Sequence, residues 1–299
     1  MESVATKQLI SRYRSQYGVN IAAILADVDL FAFYQCEFCG LWFFHPPVPG
    51  TATFYAELGR VPGYYNAEKE EYRLAARRIT GGQTVLEVGC GPGQFRRYLP
   101  ELDYIGLELN PEAVKAGLAK GLDVRTESIE TFALRNRNRF DAVCAFQVLE
   151  HVTDPSSFIA ACAACTRPSG LIMFGVPNAD GFLGAQPDEI LNMPPHHQTW
   201  WAASVFWTIA KQFGLEVVAI EVERLPSSAR DIYEDVVAIR GLMNRFNVNR
   251  KFFFEGRLYT LVKKIARLIR IFLPTGFGDP HFLPVGHTLL AVLRKLPTQ

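Results

Sequence analysis

In the stretch 85-VLEVGCGPGQF-95, three glycines (Gly89, Gly91 and Gly93) fall within five residues. They follow an apolar run and precede a segment, 93-GQFRRYL, that reads as helical. Glycine adopts positive φ freely and lets a ligand come within contact distance of the main chain. A helix starting there would offer unpaired N–H groups to an anionic group. The pattern predicts a nucleotide-like ligand lying over a strand-to-helix turn. A dinucleotide fold expects G-x-G-x-x-G, with the helix end on a pyrophosphate. Here the spacing is G-x-G-x-G, with Glu87 before it and no basic residue in the turn, which disfavours dehydrogenase chemistry. At the end of the next apolar run, 104-YIGLELNP, Glu108 is placed to accept hydrogen bonds from the vicinal hydroxyls of a ribose.

Three histidines compete for the role of general base: His151 in 149-LEHV, and His196 and His197 in 194-PPHHQTWW. An imidazole has the right intrinsic pKa to take a proton near neutrality. His151 reads equally well as a structural hydrogen-bonding residue. The adjacent pair, between two prolines and two tryptophans, fits core packing poorly and points one imidazole at an acceptor; spacing does not say which. Metal is not expected. Cys36 and Cys39 make only half of a four-cysteine zinc site, and Cys162 and Cys165 lie in alanine-rich 159-IAACAACT, where packing on a sheet explains them.

The elements that must hold these residues alternate from about residue 83 onward. Candidate strands are 84-TVLEVG, 104-YIGLEL, 122-LDVRT, 140-FDAVCAF, 170-GLIMFGV and 215-LEVVAIEVE. Helix-like segments 111-PEAVKAGLAKG, 154-DPSSFIAACAACT and 201-WAASVFWTIAKQFG lie between them, with Pro111 at a helix start and Gly121 and Gly214 at helix stops. The tail 286-GHTLLAVLRK adds an antiparallel strand near the sheet edge. This predicts an α/β fold, a seven-stranded mostly parallel sheet with helices on both faces. Its core spans residues 81–224 and is completed by 285–299. An N-terminal helical and aromatic extension covers 1–80, with 31-FAFYQCEFCGLWFFHPP and the helical 64-YYNAEKEEYRLAARRI. A helical insertion covers 225–284, where Leu258, Val262, Ile265, Ile269 and Phe272 share one face opposite Lys263, Arg267 and Arg270.

Composition narrows the partners. The chain has 299 residues, 49% of them apolar, enough for a sizeable core. Its 31 basic and 30 acidic residues give a net charge of +1, which argues against nucleic acid as a bulk electrostatic partner. The opening MESVATKQLISRYRSQ lacks a signal-peptide core, and no apolar run approaches the roughly 18 residues of a membrane span. Six cysteines in a chain of this size suit a reducing cytoplasm. Oligomeric state is not readable.

Four segments in this order, 85-VLEVGCGPGQF-95, 105-IGLELNPEAV-114, 140-FDAVCAFQVLEHVTDP-155 and 170-GLIMFGVPN-178, resemble the class I S-adenosylmethionine-dependent methyltransferases, whose core is Rossmann-like. The resemblance implies that Glu87, Gly89, Cys90, Gly91 and Gly93 wrap the methionine part of the cofactor. It implies that Glu108 and Leu109 meet the ribose side, and that Phe146 and Gln147 touch the cofactor after the fourth strand. Ser128 and Ile129 are placed beside adenine, with serine where an aspartate often stands. The aromatic N-terminal region is similar to that of a bacterial subgroup, some of whose members carry a zinc ribbon. In similar proteins the segment around Tyr64 and Tyr65 closes over the cofactor, which places the Tyr65 hydroxyl near its carboxylate. Some quinone-pathway relatives have an acid where Gln147 stands and can use a divalent ion, so Gln147 speaks against metal here.

The implied reaction is an in-line displacement moving a methyl group to a small-molecule or glycan-precursor acceptor, at oxygen in the leading reading. The protein then aligns the reactants, excludes water and removes a proton, with no covalent nucleophile. The alternatives are a carbon or nitrogen methyltransferase, or an enzyme resting segment 257–272 on anionic lipid to reach a lipid-linked substrate. A protein that binds the cofactor without turnover is the third. A lid or interface role for 257–272 is preferred over membrane contact.

Overall fold

A computed structural model describes residues 2–61, 64, 68–181, 189–223, 230–245, 257–269 and 286–297. At its start, β1 (Glu2–Ala5) runs into α1 (Thr6–Tyr17), which ends on Gly18 in the left-handed conformation and buries Leu9 and Tyr13 one turn apart. The aromatic stretch of the N-terminal extension is a β-hairpin of β2 (Leu30–Gln35) and β3 (Trp42–His45). Its side chains alternate, with Phe31 and Phe33 buried and Leu30 exposed, the period-two signature of a strand. Cys36 and Cys39 sit at the hairpin turn, where the Cys36 N–H donates to the Leu41 carbonyl at 2.9 Å. Both thiols are free. The short helix α2 (Ala52–Leu58) follows, capped by the Thr51 hydroxyl.

The central sheet begins after α3 (Glu70–Ala76), which is shorter than the helix expected from residue 64. In chain order come β4 (Thr84–Val88), β5 (Asp103–Leu107), α4 (Pro111–Leu118), β6 (Val124–Arg125), α5 (Ile129–Ala133), β7 (Phe140–Phe146), α6 (Pro155–Cys165) and β8 (Thr166–Pro177). They are followed by β9 (Thr199–Trp200), α7 (Ala203–Gln212), β10 (Leu215–Val222), α8 (Arg230–Arg245), α9 (Arg257–Ile269) and β11 (Thr288–Lys295). Seven strands make one open sheet in the order β10-β11-β8-β7-β4-β5-β6. Pairs along β8-β7-β4-β5-β6 are parallel, and β11 runs antiparallel to both β8 and β10. The expected sheet is present, with the tail strand inserted one place in from the edge.

Every residue of β7 is buried, as a strand covered on both faces must be. Val143 and Ala145 pack with Phe158 and Ile159 of α6 on one face. Ala142, Cys144 and Phe146 pack with Tyr72 of α3 and Phe95 on the other. Cys162 and Cys165 are buried along α6 as packed thiols.

One expectation fails at a position that matters. The segment after the glycine turn forms a four-residue 3-10 turn, Phe95–Tyr98, rather than an α-helix. Its Phe95 ring is drawn down against Tyr72 and Phe146, with centroids 5.4 and 4.7 Å away. A single tight turn has no useful dipole, so the helix-end argument for an anion does not apply here.

The N-terminal strands form a second sheet, β1-β2-β3-β9, whose last member comes from the loop after β8. Trp200 of β9 stands opposite Trp42 and joins the aromatic cluster of Phe33 and Phe44. The loop carrying His196 and His197 is thereby pinned to the N-terminal unit. In the expected insertion, Val262 of α9 is buried against Met243 of α8. Of its expected apolar face, the Leu258 and Ile269 side chains and Phe272 lie outside the described residues. No helix among the described residues is long and apolar enough to cross a membrane.

Candidate active site at the carboxyl ends of the central strands

The glycine turn is held from one side. Gly89 and Cys90 N–H groups both donate to the Leu107 carbonyl at the end of β5, at 2.7 and 3.0 Å. Gly91 N–H donates to Glu108 Oε2 at 2.8 Å, while Glu108 Oε1 accepts from the Leu109 and Asn110 N–H groups, both at 2.8 Å. One carboxylate thus ties the turn to the entry of α4. All three glycines have positive φ, but their surroundings differ. A Cβ on Gly89 would strike Val148 and one on Gly93 would strike Leu122, whereas a Cβ on Gly91 meets no described atom within 4 Å. The outer two serve packing, and Gly91 presents bare backbone with no described side chain over it. Cys90 is buried beneath the turn, its thiol packed where a side chain on Gly106 would have to go.

Glu87 lies under the turn with 1% exposure and accepts a hydrogen bond from the Tyr104 hydroxyl. Burial pushes its carboxyl up to about 8, against relief from the Tyr104 hydrogen bond and the Lys69 charge. A carboxyl raised in the folded state binds its proton more tightly there than in the unfolded chain. The stability it contributes is therefore complete below pH 4.5 and is lost as pH rises toward about 8. The buried histidines shift the other way, so their effect is over by about pH 6.5. Between about pH 6.5 and 8 the melting temperature should fall, and Glu87→Gln should make that decline shallower. The remainder comes from Glu150, whose carboxyl is likewise pushed up to about 8 by burial. A variant with the same slope as the parent would show that Glu87 is not the titrating group.

Around the turn, Leu109 is an apolar side chain with 64% exposure beside Glu108. Ser128 is occupied as the N-cap of α5, its hydroxyl accepting from the Thr131 N–H at 3.3 Å, and Ile129 is buried in the core. That edge therefore offers main chain rather than the two side chains. The Phe146 side chain belongs to the core under α3. Gln147, at the end of β7, has φ 57°, a conformation that strains residues other than glycine. Its N–H donates to the Gly175 carbonyl at 2.7 Å, and its side-chain amide donates to Glu71 Oε1 at 3.2 Å. Glu71 and Lys69 were not singled out from the sequence. Glu71 is buried in α3 with its carboxyl pushed up by desolvation, and the Lys69 charge bears on Glu71, Glu87 and Glu150 alike. Tyr65 lies outside the described residues, and the neighbouring Tyr64 donates its hydroxyl to His196 Nε2 at 2.8 Å.

The three histidines do not compete; they meet. His151 and His196 ring centroids are 4.5 Å apart, His151 and His197 4.9 Å, and His196 stacks on His197 at 4.5 Å. His196 and His197, read from the sequence as poor core residues, are each 6% exposed. A buried polar cluster accommodates them where an apolar core would not. His151 Nδ1–H donates to the His196 carbonyl at 2.6 Å, and His196 Nδ1–H donates to the Leu191 carbonyl at 2.8 Å. Burial lowers all three imidazoles and brings His151 down to about 4, so the rings are neutral at physiological pH. Glu150 closes the group, its Oε1 lying 3.8 Å from His151 Nε2 and 4.0 Å from His197 Nε2. Lys69 links the two halves of the site, since its charge acts on Glu87 under the turn and on Glu150 in this cluster.

A family model described as a methyltransferase domain matches residues 63–220. Among curated relatives, the ubiquinone biosynthesis O-methyltransferase of Xanthomonas oryzae pv. oryzae (strain PXO99A) is 35% identical over 113 residues, 35% of this chain and 47% of that protein. The protein of the same name from Bordetella avium is 29% identical over 187 residues, 56% of this chain and 73% of its own length. The chain spans about half the length of the first of these relatives. A solved S-adenosylmethionine-dependent methyltransferase from Archaeoglobus fulgidus shares the fold, with a TM-score of 0.50 and 16% identity over 76% of this chain and 95% of that one.

Proposed function

We propose, from the premise that this chain belongs to the methyltransferase-domain family, that it transfers the methyl group of S-adenosylmethionine to an oxygen of a small-molecule acceptor. The observation that carries this reading is the bare, outward face of Gly91 between the Glu108 carboxylate and the exposed Leu109 side chain. Backbone with no side chain in the way admits the methionyl part of the cofactor. Glu108 exchanges backbone donors for ribose hydroxyls, and Leu109 covers an apolar ring face. In this assignment residues 81–224 and 285–299 are the cofactor core, 1–80 the cap, and 225–284 a lid or interface.

Oxygen as acceptor atom is supported by the curated relatives, whose names describe O-methyltransferases. An acceptor hydroxyl must lose its proton as its oxygen attacks the methyl carbon in line with the departing sulfur. His151 is the member of the histidine cluster best placed for this. Its side chain is 19% exposed, against 7% for His197. Because its Nδ1–H is committed to the His196 carbonyl, the Nε2 lone pair is left for a proton. Burial keeps the ring neutral and ready to accept, though it makes the ring a weaker base than a free imidazole.

Titration calorimetry of the purified protein with S-adenosylhomocysteine tests the cofactor site. Glu108→Ala should weaken binding about tenfold to a hundredfold, the worth of one or two hydrogen bonds to a charged group. An unchanged dissociation constant would remove Glu108 from the ribose. Labelled cofactor offered to panels of hydroxylated, amine and activated-carbon acceptors then tests the acceptor atom. Label appearing only in amines or at carbon overturns the oxygen assignment.

A further inference from the structure

Glu150 is an anomaly in this interior. Its side chain is 1% exposed, yet neither carboxylate oxygen has a hydrogen-bond partner among the described residues. Buried carboxylates are costly unless donors or a cation join them. What faces Glu150 among the described residues is a pair of imidazole nitrogens, His151 Nε2 at 3.8 Å and His197 Nε2 at 4.0 Å, both beyond hydrogen-bond distance. His196 stands beside them, and one ring nitrogen from each of the three histidines lies within 4.8 Å of the others.

We infer that Glu150, His151, His196 and His197 form a site for a borderline-soft divalent cation of the Zn2+, Co2+ or Fe2+ class. Ligands about 2.1 Å from a tetrahedral ion lie about 3.4 Å from one another. The two Glu150 separations, 3.8 and 4.0 Å, exceed that by about half an ångström. The histidine nitrogens, within 4.8 Å of one another, would have to draw closer by side-chain rotation. The outer contacts are those of a ligating cluster. His151 and His196 each donate Nδ1–H to a backbone carbonyl, which fixes the tautomer. The His151 Nε2 lone pair then faces Glu150, while that of His196 faces the Tyr64 hydroxyl. Three imidazoles and one carboxylate suit zinc, cobalt and iron(II) better than magnesium or calcium, which prefer oxygen.

The donor set also explains why sequence reading found no metal. The residues weighed for a metal are the pairs Cys36/Cys39 and Cys162/Cys165 and position 147, which is glutamine. The imidazoles instead come from a loop some 45 residues further along, brought in by the pairing of β9 with β3. Tyr64 modulates the site, because its hydroxyl donates to His196 Nε2 and competes with the ion for that nitrogen. Glu150, His151 and His197 are therefore the inner three ligands, and His196 is the fourth when Tyr64 releases it. The site stands on this geometry and not on the transfer reaction. Coordination of His151 Nε2 and proton acceptance there exclude each other, so His151 is the base of the metal-free state.

The test uses the full chain with any affinity tag removed, incubated separately with Zn2+, Co2+ and Mg2+, desalted and assayed for metal. About one zinc or cobalt ion per chain should remain, with magnesium lost, and bound cobalt should show the visible absorption of a four- or five-coordinate N/O site. Glu150→Gln and His197→Ala should each weaken retention about tenfold or more, while Tyr64→Phe should hold cobalt at least as tightly as the parent. Parent protein that desalts free of zinc and cobalt overturns the inference. So does equal retention by parent, Glu150→Gln and His197→Ala. Calorimetry with S-adenosylhomocysteine on the same preparations tells a failed metal site from a failed cofactor site.

Discussion

Gly91→Val should abolish cofactor binding while leaving the protein folded. The backbone there has φ 53°, and no described atom lies within 4 Å of where a Cβ would stand. A β-branched residue in that conformation costs about 1–2 kcal/mol, a moderate loss for a chain with this much buried sheet. The larger effect is on the ligand, because the new methyl groups occupy the space through which Gly91 offers its backbone. Binding of S-adenosylhomocysteine should weaken by at least about a hundredfold in calorimetry, equivalent to about 2.7 kcal/mol. The neighbouring glycines provide the control. Gly89→Ala drives its Cβ into Val148 and Gly93→Ala into Leu122, so their main cost should appear as a fall in melting temperature. Gly91→Val binding within about tenfold of the parent would mean that the cofactor does not cross this turn.

His151→Ala should lower kcat by about a hundredfold to ten-thousandfold, the usual span for removing a general base. Its effect on the cofactor dissociation constant should be slight, since in the proposed site the cofactor rests on the glycine turn and Glu108, which are tied to each other without His151. That split is what a structural role would not give. If the ring only props the loop through its hydrogen bond to the His196 carbonyl, the loss appears in melting temperature and in cofactor affinity together. His197→Ala should cost less in kcat, because His197 is the more buried of the two. Metal content measured on the same preparations tells whether His151 was acting as proton acceptor or as ligand.

The sheet was legible because β7, β8 and β11 carry apolar runs at 142–146, 171–176 and 289–293, and helix-like segments bounded by glycine or proline alternate with the strands. The hairpin β2–β3 was not, although Phe31 and Phe33 alternate cleanly with less buried neighbours. The density of aromatic residues on both faces, Tyr34, Trp42 and Phe43 among them, masks a period of two. The 3-10 turn after Gly93 was missed for a different reason. Its apolar residue Phe95 is claimed by Tyr72 of α3, a tertiary contact that local pattern does not carry. In the site, Glu87, Gly91 and Glu108 could be named because their spacing is set by one turn and two adjacent strands. Glu71 and Lys69 carry no motif. The histidines were visible one by one, but their convergence on Glu150 depends on how the loop after β8 is threaded.

The position of β11 has a consequence for how the protein is made. Residues 288–295 slot between β8 and β10, which otherwise never touch within the sheet. A ribosome that has translated everything up to that point is holding a nascent chain with one raw sheet margin on β8 and another on β10. Such margins invite pairing with foreign strands, and the sheet closes only once residues 288–295 zip the gap shut.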